Sequence, residues 1–323
     1  MTQKGDWRPL ASLRTIRARA ELFGSVRAFF SARGVIEVDT PVLSQHATVD
    51  RHIESFSTGQ YWLHTSPEFA MKRLLAAGSG PIYQISHVFR AEESGRHHNP
   101  EFAMLEWYRP GWDHHALMGE VEALFAAVGG PSRCERLSYR AAFQDHAGLD
   151  PFDASPETLR AALVGHGAAV PESITAEENA DTDFWLDLLM SSVVGPKLGV
   201  DAPCLLYDFP ASQAALAHVR AGDPPGGSDV AERFELFWRG IELANGFHEL
   251  TDASEQERRF KSDQAWRKSQ RRQVPPYDAN LIAALHAGVP ACAGVAIGLD
   301  RLLMLLVNLP DVASAMVFDS SRA

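Results

Sequence analysis

The residues FRAEESGRHHNPEFAMLEWY (89–108) contain the clearest indication of the type of sheet in this protein. PIYQISHVFRAEE (81–93) is rich in β-branched and aromatic residues and predicts a strand, the polar run SGRHHNPEF (94–102) predicts a loop, and AMLEWYRP (103–110) predicts a second strand. Two neighbouring strands joined by so short a connection pair in antiparallel fashion. The stretch therefore predicts an antiparallel sheet rather than a series of βαβ units.

A second hairpin is predicted in AERFELFWRGIELANGFHEL (231–250), with its turn near Arg239–Gly240. Glu235 and Glu242 then lie on facing strands as near neighbours. Paired carboxylates inside a sheet repel each other unless a cation lies between them, and oxygen ligands suit Mg²⁺. A bulge at Asn245–Gly246 would bring Glu249 to the same face as Glu242. The alternative is a surface hairpin with outward glutamates, although the flanking aromatic residues indicate burial.

Helices and further strands surround these hairpins. Helices are predicted at about 10–33 (ending at Gly34), 67–78, 113–128, 254–272 and 279–287, strands at 35–43, 61–65 and 204–209, a loop at 218–229, and a glycine-rich strand, turn and buried helix at 294–309. This order predicts an α+β fold, an antiparallel sheet flanked by helices. We expect a single catalytic domain over residues 1–323, with a helical insertion at about 131–203.

Composition narrows the class of protein. The 323 residues are 46% hydrophobic and 22% charged, which is typical of a globular chain and excludes a disordered or coiled-coil one. The longest apolar run is too short for a membrane span, the N-terminus lacks the apolar core of a signal peptide, and the three cysteines form no CxxC. We therefore expect a cytoplasmic protein without a membrane partner. The formal charge of −11 is unfavourable for generic nucleic-acid binding.

Two segments carry candidate nucleotide-binding residues. Arg90 and Glu92 lie two apart and would share a strand face, followed by a loop with His98 and Asn99, and such a cluster can clamp a polyphosphate. Its alternative is a solvated charged loop. In the second segment Arg301 opens an apolar helix, where it opposes the helix dipole and needs a reason such as stacking or phosphate contact. A simple packed strand, turn and helix is the alternative there.

These elements occur in the order of the three motifs of class II aminoacyl-tRNA synthetases. RGVIEVDTPVL resembles the first motif, FRxE followed by NPEF the second, and GLDR (298–301) the third; GIELANGFHELTD (240–252) resembles the lysine branch of the class. The resemblance extends from about residue 15 to 320. Only about 33 residues precede Gly34, too few for the OB-fold anticodon-binding domain of lysyl-tRNA synthetases, so that domain is expected to be absent. Within the branch, the chain is similar to truncated paralogues that modify translation elongation factor P.

The resemblance implies roles for individual residues, with Arg90 and Arg301 as the catalytic pair. The residues it places at ATP are Arg90, Ala91, Glu92, His98, Asn99, Phe102, Glu242, Leu243, Gly298 and Arg301. The residues it places at a lysine-type substrate are Ser66, Pro67, Glu68, Tyr108, Glu249 and Ala296, and those at Mg²⁺ are Glu235 and Glu242. Phe102 and Arg301 would sandwich the adenine.

The activity implied is ATP-dependent conversion of (R)-β-lysine to an acyl-adenylate and its ligation to a lysine side chain of elongation factor P. Lysyl-tRNA synthetases have glycine where this chain has Ala296 and alanine where it has Ser66, and an added methyl group in a tight pocket changes substrate preference. A lysyl-tRNA-charging enzyme without an anticodon domain and a non-catalytic regulatory paralogue are the alternatives. tRNA is not expected as the acceptor.

The resemblance also implies a homodimer through residues 15–41, where the pair Phe29–Phe30 would need a partner surface. The helix at 254–272 holds the one strong basic cluster of the acidic chain. It either docks an acidic protein or RNA, or forms a solvated helix face.

Overall fold

A computed structural model describes residues 7–222 and 227–323. The helices are α1 (Leu13–Ser31), α2 (Glu68–Ala76), α3 (His114–Ala127), α4 (Tyr139–Ala147), α5 (Pro156–Gly165), α6 (Ala176–Ala180), α7 (Thr182–Leu189), α8 (Ala253–Ser269), α9 (Ala279–Gly288) and α10 (Leu299–Leu306). The strands are β1 (Ile36–Glu37), β2 (Leu43–Ser44), β3 (Ser57–Thr58), β4 (Tyr61–Leu63), β5 (Ile82–Phe89), β6 (Glu101–Pro110), β7 (Glu135–Ser138), β8 (Cys204–Pro210), β9 (Val219–Gly222), β10 (Gly227–Trp238), β11 (Ile241–His248) and β12 (Cys292–Gly298).

The chain forms two compact units. The first comprises the residues up to Trp112, Ala127–Gly130 and Thr251–Ala323; the second comprises Asp113–Ala126 and Pro131–Leu250. The helices expected at 131–203 belong to the second unit, together with strand β7. That the whole chain acts as one catalytic domain with an insertion stays a prediction.

The first unit is built on the strands β1, β5, β6 and β12, hydrogen-bonded in that order. Both β5–β6 and β6–β12 are antiparallel, whereas the two-residue strand β1 runs parallel to β5. A small antiparallel sheet, β2-β4-β3, lies in the same unit. Helix α1 packs on the larger sheet through Phe30, whose ring stacks on Tyr83 with centroids 4.5 Å apart and meets Trp107 edge-on at 5.3 Å.

The second unit has the strand order β11, β10, β8 and β7, with β9 also paired to β10. Only the β7–β8 pair is parallel among its described strands. Its helices α4, α5 and α7 bury a cluster around Phe143, Leu159 and Trp185 against the sheet. Antiparallel pairing dominates in both units, so the predicted α+β fold with a helix-flanked antiparallel sheet is confirmed.

Three local expectations need correction. VIEVDTPVL does not form one strand: only Ile36–Glu37 and Leu43–Ser44 are in strands, because Pro41 lacks the N–H that a ladder requires. Part of the loop expected at 218–229 is strand β9, and residues 223–226 of that loop lie outside the described residues. Phe29 and Phe30 need no partner surface, because both rings are buried within the chain itself.

The basic cluster at 254–272 is also less available than the sequence suggests. Arg258 and Arg259 both bind Glu255 on the same helix, and Lys261 binds Glu257. Arg267 is buried and faces inward. Much of the positive charge of α8 is therefore paired within the chain. None of the helices in the described part of the chain is both long and apolar enough to cross a membrane.

The backbone at Gly199 packs so closely against the turn from β10 to β11 that a side chain there should destabilise the protein. Gly199 has φ +67°, its carbonyl accepts from the Arg239 N–H at 2.7 Å, and a Cβ there would lie 2.4 Å from the Phe237 carbonyl oxygen. We expect Gly199→Ala to lower the free energy of unfolding by about 2–4 kcal/mol, since left-handed strain and overpacking add. Chemical denaturation measures it.

Gly165→Ala is the matched control for that measurement. Gly165 ends helix α5, and apart from its chain neighbours and the backbone of its own helix, no atom lies within 4 Å of the position its Cβ would take. Alanine there should be neutral or stabilise by up to about 1 kcal/mol. Equal effects of the two substitutions would contradict the close approach at Gly199.

Candidate active site

The loop after β5 places the predicted phosphate-binding arginine. β5 ends at Phe89, so Arg90 is already in the loop, and its Nη1 donates to Glu93 Oε1 at 3.1 Å. The guanidinium carbon lies 5.2 Å from the centre of the Phe102 ring. The predicted common strand face for Arg90 and Glu92 is therefore wrong, because the strand has ended. Glu92 is exposed, and Glu93 is the partner of the arginine.

The same loop holds Asn99 and His98 in different environments. Asn99 is buried, its Nδ2 donates to the Glu101 carbonyl at 2.6 Å, and its Oδ1 accepts from the Ser320 N–H at 3.2 Å. His98 is exposed, with Nε2 3.9 Å from Glu93 Oε2. The asparagine thus shapes the loop, while the histidine is accessible to a ligand.

Glu54 connects this loop to helix α8. The Ala91 N–H donates to the Glu54 carbonyl at 2.8 Å. The Glu54 carboxylate accepts from Arg267 Nη2 at 2.5 Å and from Arg272 Nη1 at 3.0 Å, and Arg267 also donates to the carbonyls of Asp50 and Ile53. Two of the basic residues considered for docking therefore bind the glutamate whose backbone holds the loop that carries Arg90.

Arg301 lies one residue after a buried carboxylate. Its Nε donates to the His97 carbonyl at 2.9 Å. This hydrogen bond gives the guanidinium a partner at the start of α10, where the helix dipole alone would disfavour a positive charge. The preceding Asp300 pairs with Arg19 and accepts from the Ala103 N–H at 2.6 Å. A Cβ on Gly298 would lie 4.0 Å from the Arg301 side chain, so the backbone here is open.

The proposed substrate end of the first unit is organised by Glu106, a residue that the sequence analysis missed. Ser66 Oγ donates to Glu106 Oε2 at 2.7 Å, and Tyr108 Oη donates to Glu106 Oε1 at 2.6 Å. Glu106 thus joins two of the expected substrate residues. The available signal was a single acidic residue in the apolar strand AMLEWY, two positions from Tyr108 and therefore on the same face.

A second buried charge lies beside it. Lys72, 1% exposed, donates to Glu68 Oε1 at 2.6 Å, and Glu68 N donates to Ser66 Oγ at 3.0 Å. Burial, and after it the charge of the Glu68 carboxylate, raise the pKa of Glu106 to about 7, although the hydroxyl donors and Lys72 oppose the rise. The group carries two carboxyls and one ammonium, an arrangement that can accept one more cation.

Two more expected substrate residues lie close by in the first unit. Ala296 on β12 is the cross-strand partner of Glu106 on β6. Pro67 is the N-cap residue of α2 and is buried. The first unit therefore brings together Ser66, Pro67, Glu68, Tyr108 and Ala296 around a carboxyl that no motif had indicated.

In the second unit, Glu235 and Glu242 lie on one face of the hairpin. Glu235 faces Asn245 and Phe237 faces Glu242, so Leu243 is an extra residue in β11. The bulge predicted at Asn245–Gly246 is wrong: the register change precedes it. The extra residue at Leu243 puts Glu242 on the face of Glu235 and Asn245, and it has the effect expected of the predicted bulge, because it brings Glu242 onto the face that Glu249 would take.

The surroundings of Glu235 disfavour its ionised form. Its pKa is raised to about 7, chiefly by burial and also by the Glu242 carboxylate, although Arg233 opposes the rise. Arg233 forms an ion pair with Glu235 and donates to Asn245 Oδ1 at 3.1 Å. Glu242 is exposed at the edge of this group.

Two expected residues follow along the same strand and chain. Leu243 is the buried bulge residue. Glu249 is buried one residue beyond β11, where its backbone forms an antiparallel bridge with Ala217. Continued alternation from Asn245 puts the Glu249 side chain on the Glu242 face.

The fold is of the class II aminoacyl-tRNA synthetase type. A family model described as tRNA synthetases class II (D, K and N) matches residues 5–322, and the chain belongs to this family. The predicted family is thereby confirmed.

Relatives identify the branch. The chain is 47% identical over 327 residues to the elongation factor P–(R)-beta-lysine ligase of Pseudoalteromonas translucida (strain TAC 125), covering 98% of each chain. It is 45% identical over 333 residues to the protein of that name from Salmonella gallinarum, covering 100% of each, and 47% identical over 325 residues to that from Vibrio vulnificus (strain YJ016), covering 98% of each.

The raised pKa of Glu106 predicts a pH dependence of stability. Its folded pKa of about 7 exceeds the ordinary value of 4.5, so its contribution is fully present below about pH 4.5 and is lost as the pH rises through 7. The free energy of unfolding should therefore fall as the pH rises. In Glu106→Gln we expect this fall to be smaller by on the order of 1–3 kcal/mol. Urea unfolding at pH 5.5 and 8 measures it.

Glu21→Gln, at an exposed position on helix α1, is the control and should leave the pH profile unchanged. The pKa of Glu235 is also raised, so Glu235 makes the free energy of unfolding fall with pH in the same direction. Glu106→Gln should therefore reduce the dependence of stability on pH without abolishing it. An unaltered slope in Glu106→Gln would contradict the assigned environment.

Proposed function

We propose that this chain activates (R)-β-lysine with ATP and ligates it to a lysine side chain of translation elongation factor P. The observation that carries the proposal is the identity of 45–47% over 98–100% of both chains to ligases of that name. The substrate-end residues support it independently, because a buried group with two carboxyls and one ammonium suits a diamino acid.

The reaction has two steps. The carboxylate of β-lysine attacks the α-phosphorus of ATP, the bond to the β-phosphate oxygen breaks, and an acyl-adenylate and pyrophosphate form. The neutral ε-amine of the acceptor lysine then attacks the acyl carbon, AMP leaves, and an amide forms with loss of a proton. Such chemistry depends on positioning and electrostatic stabilisation rather than on a covalent protein nucleophile.

In the first unit, Arg90 binds the α-phosphate in this proposal, and Phe102 and Arg301 hold the adenine ring between them. Gly298 lets the nucleotide approach the backbone, which is open at that point. Ala91, Glu92, His98 and Asn99 line the nucleotide loop. The contact of Arg90 with both Glu93 and the Phe102 ring supports this part, since it keeps the guanidinium in place before ATP arrives.

In the second unit, Glu235 and Glu242 are the proposed Mg²⁺ ligands, and Leu243 lies next to them at ATP. The donor set fits the ion: two carboxylates on one sheet face, one of them buried with a raised pKa, gain from a divalent cation. When bound, Mg²⁺ offsets negative charge on the phosphates. Arg233 keeps Glu235 oriented.

For β-lysine, Glu68 pairs with the ammonium nearer the carboxylate, next to Ser66 and Pro67. Tyr108 and Glu249 receive the terminal ammonium. Glu106 acts through Ser66 and Tyr108, whose hydroxyl groups it holds. A cationic substrate favours ionised Glu106, so binding and deprotonation of this carboxyl reinforce each other.

We further propose that the acceptor is a protein and not tRNA, and that the chain works in the cytoplasm as a homodimer. The net charge of −11 offers no long-range attraction to a polyanion. Leu13 and Ile36, which flank the helix and strand expected at the dimer interface, expose apolar side chains that suit such an interface.

The transfer assay tests the function directly. The enzyme receives ATP, Mg²⁺ and labelled (R)-β-lysine with either purified elongation factor P or total tRNA. We expect stable label on the protein and none on tRNA. Label on tRNA alone would favour the tRNA-charging alternative, and absence of ATP–pyrophosphate exchange would favour a non-catalytic paralogue.

Glu249→Gln tests the substrate assignment. The amide keeps the shape but removes the charge that pairs with the terminal ammonium. A charge-assisted hydrogen bond contributes about 1.5–3 kcal/mol, so we expect a roughly ten- to hundredfold weaker affinity for β-lysine with ATP binding retained. Calorimetric titration with each ligand measures both. Loss of ATP binding with unchanged β-lysine affinity would contradict the role of Glu249.

Ala296→Gly tests the preference for the β-isomer. The methyl group faces the strand position of Glu106, and its removal enlarges the space at the reacting end. We expect the ratio of adenylate formation with β-lysine to that with α-lysine to fall by about five- to fiftyfold, within the range for one carbon atom in a pocket. Pyrophosphate exchange with each isomer gives the ratio. An unchanged ratio would remove Ala296 from the specificity determinants.

A further inference from the structure

A cluster of two histidines and one glutamate lies in the second unit, and none of the three has been given a role above. Nδ1 of His218 is 3.0 Å from Oε2 of Glu232, and Nδ1 of His248 hydrogen-bonds to the same oxygen. The three potential ligand atoms all lie within 4.8 Å of one another. Neither the activation step nor the transfer step uses any of these side chains.

Backbone hydrogen bonds hold the three residues together independently of their side chains. The Glu232 N–H donates to the His218 carbonyl at 2.9 Å, and the His218 N–H donates to the His248 carbonyl at 2.8 Å. Glu232 lies within β10, His248 ends β11, and His218 directly precedes β9. The convergence is therefore set by strand pairing, which is the kind of rigid support that a preorganised site needs.

The two carboxylate oxygens of Glu232 have different neighbours: Oε2 faces the two imidazoles, and Oε1 faces Arg220. Arg220 Nε lies 3.7 Å from the other oxygen of Glu232, and Arg220 in turn pairs with Asp208, which offsets its charge. Burial raises the pKa of Glu232, but hydrogen bonds from His248 and His218 outweigh it and hold the pKa below its ordinary value.

The cluster is also open to solvent on one side. The Glu232 side chain is 14% exposed, His248 25% and His218 47%. An ion can therefore enter from the His218 side, and water can complete its coordination.

We propose that His218, Glu232 and His248 form a binding site for a divalent transition-metal ion of the Zn²⁺ type. Each imidazole ligates through Nδ1, with its proton on Nε2, and Glu232 ligates through Oε2. Small movements bring the three atoms to the usual bond lengths of about 2.0–2.2 Å. Imidazole ligands select Zn²⁺ and similar ions over Mg²⁺, so this site is chemically distinct from the oxygen pair Glu235 and Glu242.

Its effect follows from where the ligands lie. The ion would link the segment before β9 to the end of β11, where Ala217 and Glu249 already form a bridge. A bound metal would thus stabilise the chain segment that leads into Glu249. The inference itself does not depend on the substrate proposed for Glu249.

A second histidine group in the same unit is a poorer candidate. His114 and His115 are consecutive on α3, and Asp208 is already paired with Arg220. Since the guanidinium contacts this carboxylate directly, a cation there meets repulsion at its one anionic ligand. This group serves as the competing location in the test.

The test is calorimetric titration of the full chain with Zn²⁺, in the presence of millimolar Mg²⁺, with Co²⁺ absorption as the report on coordination. The variants are His218→Gln and Glu232→Gln at the site, His115→Gln at the competing group, and His87→Gln as matched control. His87 also forms one hydrogen bond to a glutamate, Glu101, at 2.8 Å, but belongs to no three-ligand group among the described residues. Circular dichroism checks that each variant folds.

We expect one Zn²⁺ per chain, a Co²⁺ spectrum of low coordination number, and a rise in melting temperature on binding. His218→Gln should weaken binding at least tenfold, whereas His87→Gln and His115→Gln should bind as the unaltered chain does. His218 is half exposed, so its variant remains informative if Glu232→Gln fails to fold. Absence of stoichiometric binding, equal affinity in His218→Gln, or loss only in His115→Gln would each overturn the proposal.

Discussion

The buried carboxylate of Asp300 is the interaction on which the proposed nucleotide end of the first unit depends. It is 1% exposed, and a carboxylate so placed is unfavourable unless it is paired and hydrogen-bonded. Arg19 from α1 supplies the charge, and the Ala103 N–H from β6 supplies a hydrogen bond at 2.6 Å. Three elements, α1, β6 and α10, are thereby tied at one point. The residues beside this point in sequence are Phe102 and Arg301, the pair proposed to hold the adenine.

A similar logic explains why the basic residues of α8 do not form a simple charged surface. An acidic chain can still place cations inward where a carboxylate and several carbonyl oxygens meet them. Arg267 meets Glu54 together with the carbonyls of Asp50 and Ile53. Because the Glu54 backbone in turn holds Ala91, the guanidinium supports the loop that carries Arg90. Charge counted along a sequence therefore says little about charge available to a partner.

Local patterns sufficed for much of the fold. The hairpin turn was predicted from Arg239–Gly240, where both residues have positive φ, and α1 was predicted from its apolar spacing and from Gly34, which has φ +66°. Contacts between distant residues were not predictable in this way. Glu106 is recognised as part of the candidate site only because it accepts hydrogen bonds from the hydroxyl groups of Ser66 and Tyr108. Ser66 lies forty positions earlier in the chain. The bulge at Leu243 depends on the register against β10, which composition does not encode.

The two buried glutamates of the candidate site obey one electrostatic rule, each within its own unit. Glu106 has a second carboxylate, Glu68, in its surroundings and one cation, Lys72; Glu235 has Glu242 and one cation, Arg233. In both groups burial is the largest cause of a pKa near 7, and the single cation only partly offsets two carboxyls. In each group, added positive charge would therefore favour the ionised carboxylate. In the function proposed above, an ammonium group of the substrate supplies this charge at Glu106 and Mg²⁺ supplies it at Glu235, so the two groups would serve the two ligands that activation of a diamino acid with magnesium ATP requires.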